Sequence, residues 1–492
     1  MTKIKLLIEA LNSQDIRYCH WKSNQDLTEA LSGRRGTDID LLIHREDASH
    51  FRTILSELSF RPGESKDGDS FPSIEHHFSL DEESGVLVHV HAYYRVITGE
   101  SLSKNYHFPI EDMLLENIRE EQSVRLPIKS AELIVFTIRI MLKHTSLAEL
   151  VMLNRYWGKV KQEVKWLLEG GSVEEAAGLI DCWLPALDTR LFSECVEAIN
   201  SSTSLFRRIL LGRQLRTQLR FFARHSALRN WITGVRKFTR MFIRRRMGTP
   251  KGMVPHAGGA VIAFVGPEAT GKSTLLAEIK HWLSEHFAVE QIHAGKPRSS
   301  LLGYIPNVLV PALRVILPSF RSSHVEARYV SEQPSFKPKN VFPLIFAVRS
   351  VLVAYDRRTL LTRAYARAAN GNIVLCDRYP NQCKGTPDSP QLSRLLVDPE
   401  RHPVRRLLGR VEDRLYQEIP PPDLVISLSV PLEIALMRNR TRGKTEPEDY
   451  VRRRHALSAN LDFGRTTVYK ISTEQPFEKT VLEVKKAIWK IM

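Results

Sequence analysis

A chain of 492 residues is too long for one ordinary hydrophobic core, so about two or three domains are expected. Its 43% hydrophobic and 26% charged residues exclude a disordered chain. No charge-free apolar run of about 18 residues occurs, so no segment is obliged to span a bilayer. Five cysteines show neither a CxxC pair nor metal-ligand spacing, which predicts a reducing compartment and buried thiols. Glu9 and Asp15 interrupt the N-terminus before a signal-peptide apolar core can form, and a cytoplasmic location is expected. The net charge of +16 is concentrated: between Glu197 and Glu268 lie fourteen Lys or Arg and no acid.

Residues 1–125 read as an α+β domain. Strands are expected over 39–43 and over the alternating Val86-Leu87-Val88-His89-Val90-His91, with 81–85 as the turn before the second. Alternate residues of a strand face one way, so Asp38 and Asp40 point together and suit Mg²⁺, one ion each or one shared. The competing reading is a structural D-x-D at a strand end. With His20-Trp-Lys22-Ser23-Asn24 before it, this strand resembles the minimal nucleotidyltransferase fold, which sets a Gly-Ser turn ahead of a D-x-D strand. That family draws a third carboxylate from a later strand, where His89 and His91 stand here, and Lys22-Ser23 replaces Gly-Ser. The resemblance implies either a histidine ligand in an active nucleotidyltransferase or a retained fold without transfer.

Residues 126–202 form a helical domain, with apolar periodicity over 131–142 and 160–168. Gly170-Gly171 ends one helix, and Ser172 with Glu175 has capping-box spacing at the start of the next. Residues 203–256 are a basic amphipathic helical linker. Leu211, Leu215, Leu219 and Phe222 share one helix face, with Arg213, Arg216, Arg220 and Arg224 opposite. Trp231, Phe238 and Phe242 continue the apolar side, and Arg244-Arg245-Arg246 closes it. Three partners are open: an anionic membrane surface, touched peripherally from its inner face over 203–246; nucleic-acid phosphates; or neighbouring domains, with the arginines solvated. The Gly- and Pro-rich 248–259 joins this stretch to the last domain, 257–492.

That domain is expected to be α/β: a P-loop NTPase parallel sheet with flanking helices. The apolar run 259–265 has the length of a buried strand. It leads into Gly266-Pro-Glu-Ala-Thr-Gly271-Lys272-Ser273-Thr274, which fits GxxxxGK[ST] throughout. Leu275, Leu276, Ile279 and Leu283 then mark an amphipathic helix. Glycines let successive N–H groups turn toward phosphates, and the helix N-terminus adds its dipole. Lys272 suits the β- and γ-phosphates of ATP, and the Ser273 hydroxyl suits Mg²⁺. Downstream, 373–377 is a buried-strand run ending in Asp377-Arg378-Tyr379. Asp377 suits the Mg²⁺ water shell and Arg378 a phosphate. Arg438, Arg440 and Arg442 stand at alternate positions, which suits a mobile loop closing on polyphosphate better than one helix face. The apolar 301–320 carries Arg314 and internal prolines, and reads as buried or interfacial.

Taken in order, Glu268 in the P-loop, Asp356-Arg357, Asp377-Arg378-Tyr379, Pro422-Asp423-Leu424 and the arginines through Arg442 resemble the thymidylate kinase family over 260–492. The resemblance implies that Glu268 positions the acceptor sugar or orders the acceptor end. It implies that Arg357 and Arg378 hold the acceptor phosphate, and that Arg438, Arg440 and Arg442 stabilise the transferred group. The implied activity is ATP- and Mg²⁺-dependent phosphorylation of a nucleoside monophosphate, dTMP first. Two segments depart from the family: Leu428-Ser429-Val430 replaces its LDV, and 380–390 replaces the Ser-rich stretch near the thymine nucleotide. A sugar phosphate or other non-nucleotide acceptor therefore stays open, as does a nucleotide-binding regulator or scaffold.

Overall fold

The computed structural model describes residues 2–31, 38–66, 71–100, 103–144, 147–201, 203–247, 250–295, 297, 342, 344–383, 386, 388–396, 399–441, 446–458 and 461–492. The apolar 301–320 and Arg442 lie outside them. The chain folds as two compact units, Met1–Thr249 and Pro250–Met492.

In the first unit, α1 (Lys3–Ser13) and α2 (Ala48–Glu57) accompany a mixed sheet. Its strands are β1 (Tyr18–His20), β2 (Asp38–Ile43), β3 (Arg61–Ser65), β4 (Ile74–Leu80) and β5 (Leu87–Tyr93), in the order β1-β2-β5-β4-β3. Only the β2–β5 pair among these is parallel, and it sets Asp38 beside His89 and Asp40 beside His91. Strand alternation then divides the side chains. Ile39, Leu41 and Ile43 join Leu7, Leu11, Phe51 and Ile54 in one core, while Leu42 and Tyr93 join a second core built with helices. Asp38 and Asp40 share the parity of Leu42 and lie on its face of β2.

The helices of that second core are α3 (Lys129–Lys143), α4 (Leu147–Leu168), α5 (Val173–Trp183), α6 (Thr189–Asn200) and α7 (Leu205–Gln218). Helix α3 is buried on nearly every side, so its apolar periodicity broadens into an almost continuous apolar run. Ser172 caps α5 by accepting from the Glu175 N–H at 3.0 Å. The capping box is only half made: Ser130 of α3 donates to the Glu175 carboxylate and accepts from the Ser172 N–H at 3.0 Å. The basic stretch divides in two. Leu211, Leu215 and Leu219 are buried, and Arg216 pairs with Glu100. In α8 (Ala227–Met247) the large apolar side chains stay exposed instead.

The second unit carries a parallel sheet of β6 (Ala260–Val265), β7 (Val289–His293), β8 (Ile373–Asp377), β9 (Leu424–Ser429) and β10 (Thr467–Ser472), in the order β7-β8-β6-β9-β10. Every residue of β6 is buried, as an unbroken apolar run demands between two helical layers. Helix α9 (Lys272–Ser284) buries Leu275, Leu276, Ile279 and Leu283. Helix α10 (Leu344–Ala369) packs Leu361, Ala364 and Ala368 against Val261 and Ala263. Asp423 explains the P-D-L run: its carboxylate accepts from the Val261 N–H at 2.7 Å and its own N–H reaches the Val261 carbonyl at 2.9 Å. It thereby sets the register of β9 on β6.

Among the described residues no helix is long and apolar enough to cross a membrane. Cys19, Cys195 and Cys376 are buried, and burial pushes their thiols up. Cys182 is exposed on α5, a departure from the expectation that every thiol is buried.

Candidate active site

The parallel sheet brings the C-terminal ends of β6, β7 and β8 to one edge, where ligands of open α/β sheets collect. Gly266 follows β6 at φ +142°, and a Cβ there would lie 2.4 Å from the Leu428 carbonyl oxygen of β9. Only glycine fits this turn. Ala269 and Gly271 also have positive φ, and Gly271 stands at the N-cap of α9. The Lys272 ammonium is nearly buried and donates to the carbonyls of Gly266 (2.9 Å) and Pro267 (2.5 Å). Burial lowers its pKa to about 8 against the opposing pull of Glu268. Ser273 and Thr274 are exposed in the first turn of α9. Asp377 ends β8 opposite Phe264 of β6, with His293 Nδ1 3.4 Å from its carboxylate. The Ser273 hydroxyl and Asp377 carboxylate are hard oxygen donors, the chemistry that suits a hydrated Mg²⁺.

Beyond the loop, buried and half-buried charges alternate in sign. Glu268 accepts from Arg378 at 2.9 Å and lies 3.2 Å from Arg454 Nε. Arg378 also reaches Asp388 at 3.4 Å, and Asp388 accepts from Arg357 at 2.5 Å. Arg357 completes its fork on the Ala294 carbonyl (3.0 Å), the Gly295 carbonyl (3.3 Å) and the Tyr416 hydroxyl (2.6 Å). Burial alone would raise both carboxyls. Arg454 and Arg378 instead hold Glu268 below the usual range, and Arg357, Arg378 and Arg454 do the same for Asp388. Burial works against the Arg378 charge, but Asp388 and Glu268 override it and raise its pKa.

This arrangement strains the backbone and is held by loop bonding. Arg378 sits at φ +68° with its N–H on the Phe264 carbonyl at 3.0 Å. Gly295 leaves room for its side chain: a Cβ there would lie 2.4 Å from Arg378 Cδ. Asp388, at φ +64°, lies in the segment that departs from the thymidylate kinase pattern. Thr386 donates to Asn381 at 2.8 Å, Gln391 donates to the Thr386 carbonyl at 2.8 Å, and Glu412 accepts from the N–H groups of Gln391 and Leu392. Glu412 belongs to α11 (Pro403–Gln417), where burial pushes its carboxyl up to about 7.

The structure thus brings Glu268, Lys272, Asp377, Arg378 and Arg357 to one sheet edge. Arg438 and Arg440 lie elsewhere in their interactions. They occupy the last turn of α12 (Leu432–Thr441), a helix where an open loop was expected. Cations there complement the helix dipole. Arg438 donates to the Thr473 carbonyl at 2.8 Å, and Arg440 pairs with Glu448 at 2.6 Å. The arginine that reaches the P-loop acid is Arg454, on α13 (Glu448–Leu457). Sequence reasoning missed Arg454 and Asp388. Arg454 follows the Arg438–Arg442 run in sequence, and nothing local singles out either residue.

In the first unit, Asp38 and Asp40 are committed to neighbours. His89 Nδ1 lies 2.8 Å from Asp38, His91 Nδ1 lies 3.1 Å from Asp40, and Lys22 Nζ lies 2.9 Å from Asp40. Lys22 also donates to the Tyr93 hydroxyl at 2.8 Å, and Ser23 adopts φ +59°.

Removing one charge from a buried alternation leaves its neighbours uncompensated. Asp388→Asn is expected to destabilise the chain by about 3–5 kcal/mol at neutral pH, read as a lowered urea midpoint. Glu268 and Asp388 have depressed folded pKa values, so their contribution is present above about pH 4 and lost as pH falls below it. The acid-side loss should shrink in Asp388→Asn. An unchanged midpoint and acid limb would contradict the ladder.

No family model matches the chain. Two Escherichia coli proteins are similar to about half of it. One, described as the uncharacterized ATP-binding protein YghS, is 25% identical over 232 residues, covering 46% of this chain and 92% of that protein. The other, described as the uncharacterized ATP-binding protein YghR, is 24% identical over 241 residues, covering 46% and 86%. Among solved structures, thymidylate kinase from Candida albicans aligns with 48% of this chain and 91% of its own, at 16% identity and a TM-score of 0.28.

Proposed function

We propose that the second unit transfers the γ-phosphoryl group of ATP to a small phosphorylated acceptor, with a nucleoside monophosphate, dTMP first, as the leading candidate. The observation that carries this reading is the pair of ion-paired arginines, Arg357 buried and Arg378 half-buried, beside the Gly266–Thr274 cradle. A protein that only bound nucleotide would have no use for two guanidiniums gathered there. The description of both relatives as ATP-binding agrees with the donor.

In this mechanism the loop N–H groups and Lys272 hold the β- and γ-phosphates. Arg357 and Arg378 exchange the Asp388 carboxylate, in part, for the acceptor phosphate, which their planar forks bind bidentately. An acceptor phosphate oxygen attacks the γ-phosphorus, the bond to the β–γ bridging oxygen breaks, and ADP leaves. A phosphate acceptor is already deprotonated near neutral pH, so no general base is required. Glu268 holds Arg378 and Arg454 in place, and Arg454, with Arg442, is the candidate for charge on the transferred group. Mg²⁺, held through Ser273 and Asp377, would neutralise charge on the β- and γ-oxygens.

The non-nucleotide reading is favoured by one feature. Within 380–390, Thr386 bonds to Asn381 and Gln391 bonds back to Thr386, whereas thymidylate kinases carry a Ser-rich stretch there. An ADP-release screen of nucleoside monophosphates and sugar phosphates, run beside Lys272→Ala, separates the readings. One acceptor class should stimulate release in the wild type alone. Arg378→Lys should then lower kcat/KM for it by about 10²–10³. If no acceptor raises ADP release above the mutant, the kinase reading fails and a nucleotide-binding regulator takes its place.

For the first unit we propose a nucleotidyltransferase-like fold, supported by the D-x-D strand beside β5 and the left-handed turn at Ser23. Incubating the full chain with labelled NTPs, Mg²⁺ and a broad acceptor panel tests transfer. Label that disappears in Asp38→Ala and Asp40→Ala would establish it, and none on any acceptor would leave the fold without the activity.

We also propose that α8 docks on an anionic membrane surface. Trp231, Phe238 and Phe242 are 66%, 50% and 58% exposed on a helix without an acidic side chain. Apolar insertion and lipid charge act together on such a helix. The chain should co-sediment with phosphatidylserine-containing vesicles, weakly with neutral ones, and not as Trp231→Glu/Phe238→Glu. Sedimentation indifferent to anionic lipid sinks the idea, and salt-sensitive binding to duplex DNA in its place would favour nucleic acid.

A further inference from the structure

Strands β4 and β5 bring three imidazoles to one place in the first unit. His76 stands across from His91, and His89 lies two residues along β5 on the same face. The ring centroids are 4.4 Å apart for His76 and His91, 5.3 Å for His76 and His89, and 4.2 Å for His89 and His91. One ring nitrogen from each of the three lies within 4.8 Å of the others. His76 Nδ1 and His89 Nε2 are 3.1 Å apart. In a tetrahedral zinc site with Zn–N of about 2.0–2.1 Å, ligand nitrogens stand about 3.4 Å apart, close to this spacing.

Hydrogen bonding fixes which nitrogens face inward. A carboxylate only accepts, so the contacts of Asp38 and Asp40 place a proton on Nδ1 of His89 and of His91. In the neutral rings Nε2 then carries the lone pair. Carboxylate behind imidazole is how metal-binding histidines are oriented and made more basic. Asp40 is further neutralised by Lys22 at 2.9 Å, which makes it a poor direct ligand for a hard cation and leaves it well placed as a support.

We propose that His76, His89 and His91 form a site for a divalent transition metal of the zinc and cobalt class, with Asp38 and Asp40 as positioning residues behind two of the ligands. Three imidazole nitrogens select such ions over Mg²⁺, which prefers oxygen donors. Three protein ligands also leave a fourth position for water or a substrate oxygen. This assignment is independent of nucleotidyl transfer: it stands or falls on metal binding alone.

The test is Co²⁺ titration of the untagged, chelator-treated full chain, followed by visible absorption, with Zn²⁺ as competitor. The expected result is one Co²⁺ per chain with the intense absorption of a tetrahedral site, displaced by Zn²⁺ and untouched by excess Mg²⁺. His76→Gln and His91→Gln, each checked for native circular dichroism, should each abolish that spectrum. Asp38→Asn should retain it while weakening affinity about 10–100-fold, the effect of losing an outer carboxylate. Binding absent from the wild type, or a spectrum that survives both histidine substitutions, overturns the assignment.

Discussion

A guanidinium removed from water must meet an anion, and the second unit is organised around that requirement. Arg454, Glu268, Arg378, Asp388 and Arg357 form a line in which sign alternates. They come from α13, the P-loop, the end of β8, segment 380–390 and α10, so one electrostatic constraint ties five parts of the unit together. The price is backbone strain: Arg378 and Asp388 both sit at positive φ, tolerated only because neighbouring bonds over-determine them. Three cations against two anions leave an excess positive charge. Beside a cradle of N–H groups that already favours anions, this polarity suits a reaction between two phosphates.

Much of the second unit was legible because its cues are local. An unbroken apolar run gave β6, a fixed glycine spacing gave the loop, and D-R at a strand end gave Asp377 and Arg378. Asp423 carried a signal too, as part of P-D-L, although its job is to hold β9 on β6. What escaped was set by chain distance. Arg378 meets Glu268 across 110 residues and Arg454 meets it across 186, separations at which no periodicity or motif operates. Arg438 and Arg440 misled for the converse reason. Their alternate spacing was read as an open loop, yet each finds its own partner from the last turn of a helix.

The first unit shows the same division. D-x-D and the alternating strand were plain, and the parallel pairing of β2 with β5 follows the expected faces. The pairing also reveals that the histidines face the carboxylates, which turns an apparent departure from a nucleotidyltransferase pattern into a coherent cluster. His76 was invisible in sequence because it enters from β4, whose role depends on register alone. In the basic stretch, composition located the charge but not its context. Arg216 is spent on Glu100 within the unit, whereas α8 presents its aromatic side chains outward.

The central claim is that the P-loop cradle and the neighbouring Arg357 and Arg378 act on one reacting pair of phosphates. Calorimetry with a dinucleoside pentaphosphate joining adenosine to thymidine measures this directly, because that compound spans both halves. The account predicts binding at least about 10²-fold tighter than ATP, as expected when two subsites are engaged by one molecule. Most of the gain should vanish in Arg357→Lys and in Arg378→Lys. Equal affinity for the linked compound and for ATP, or a gain indifferent to both arginines, would contradict it.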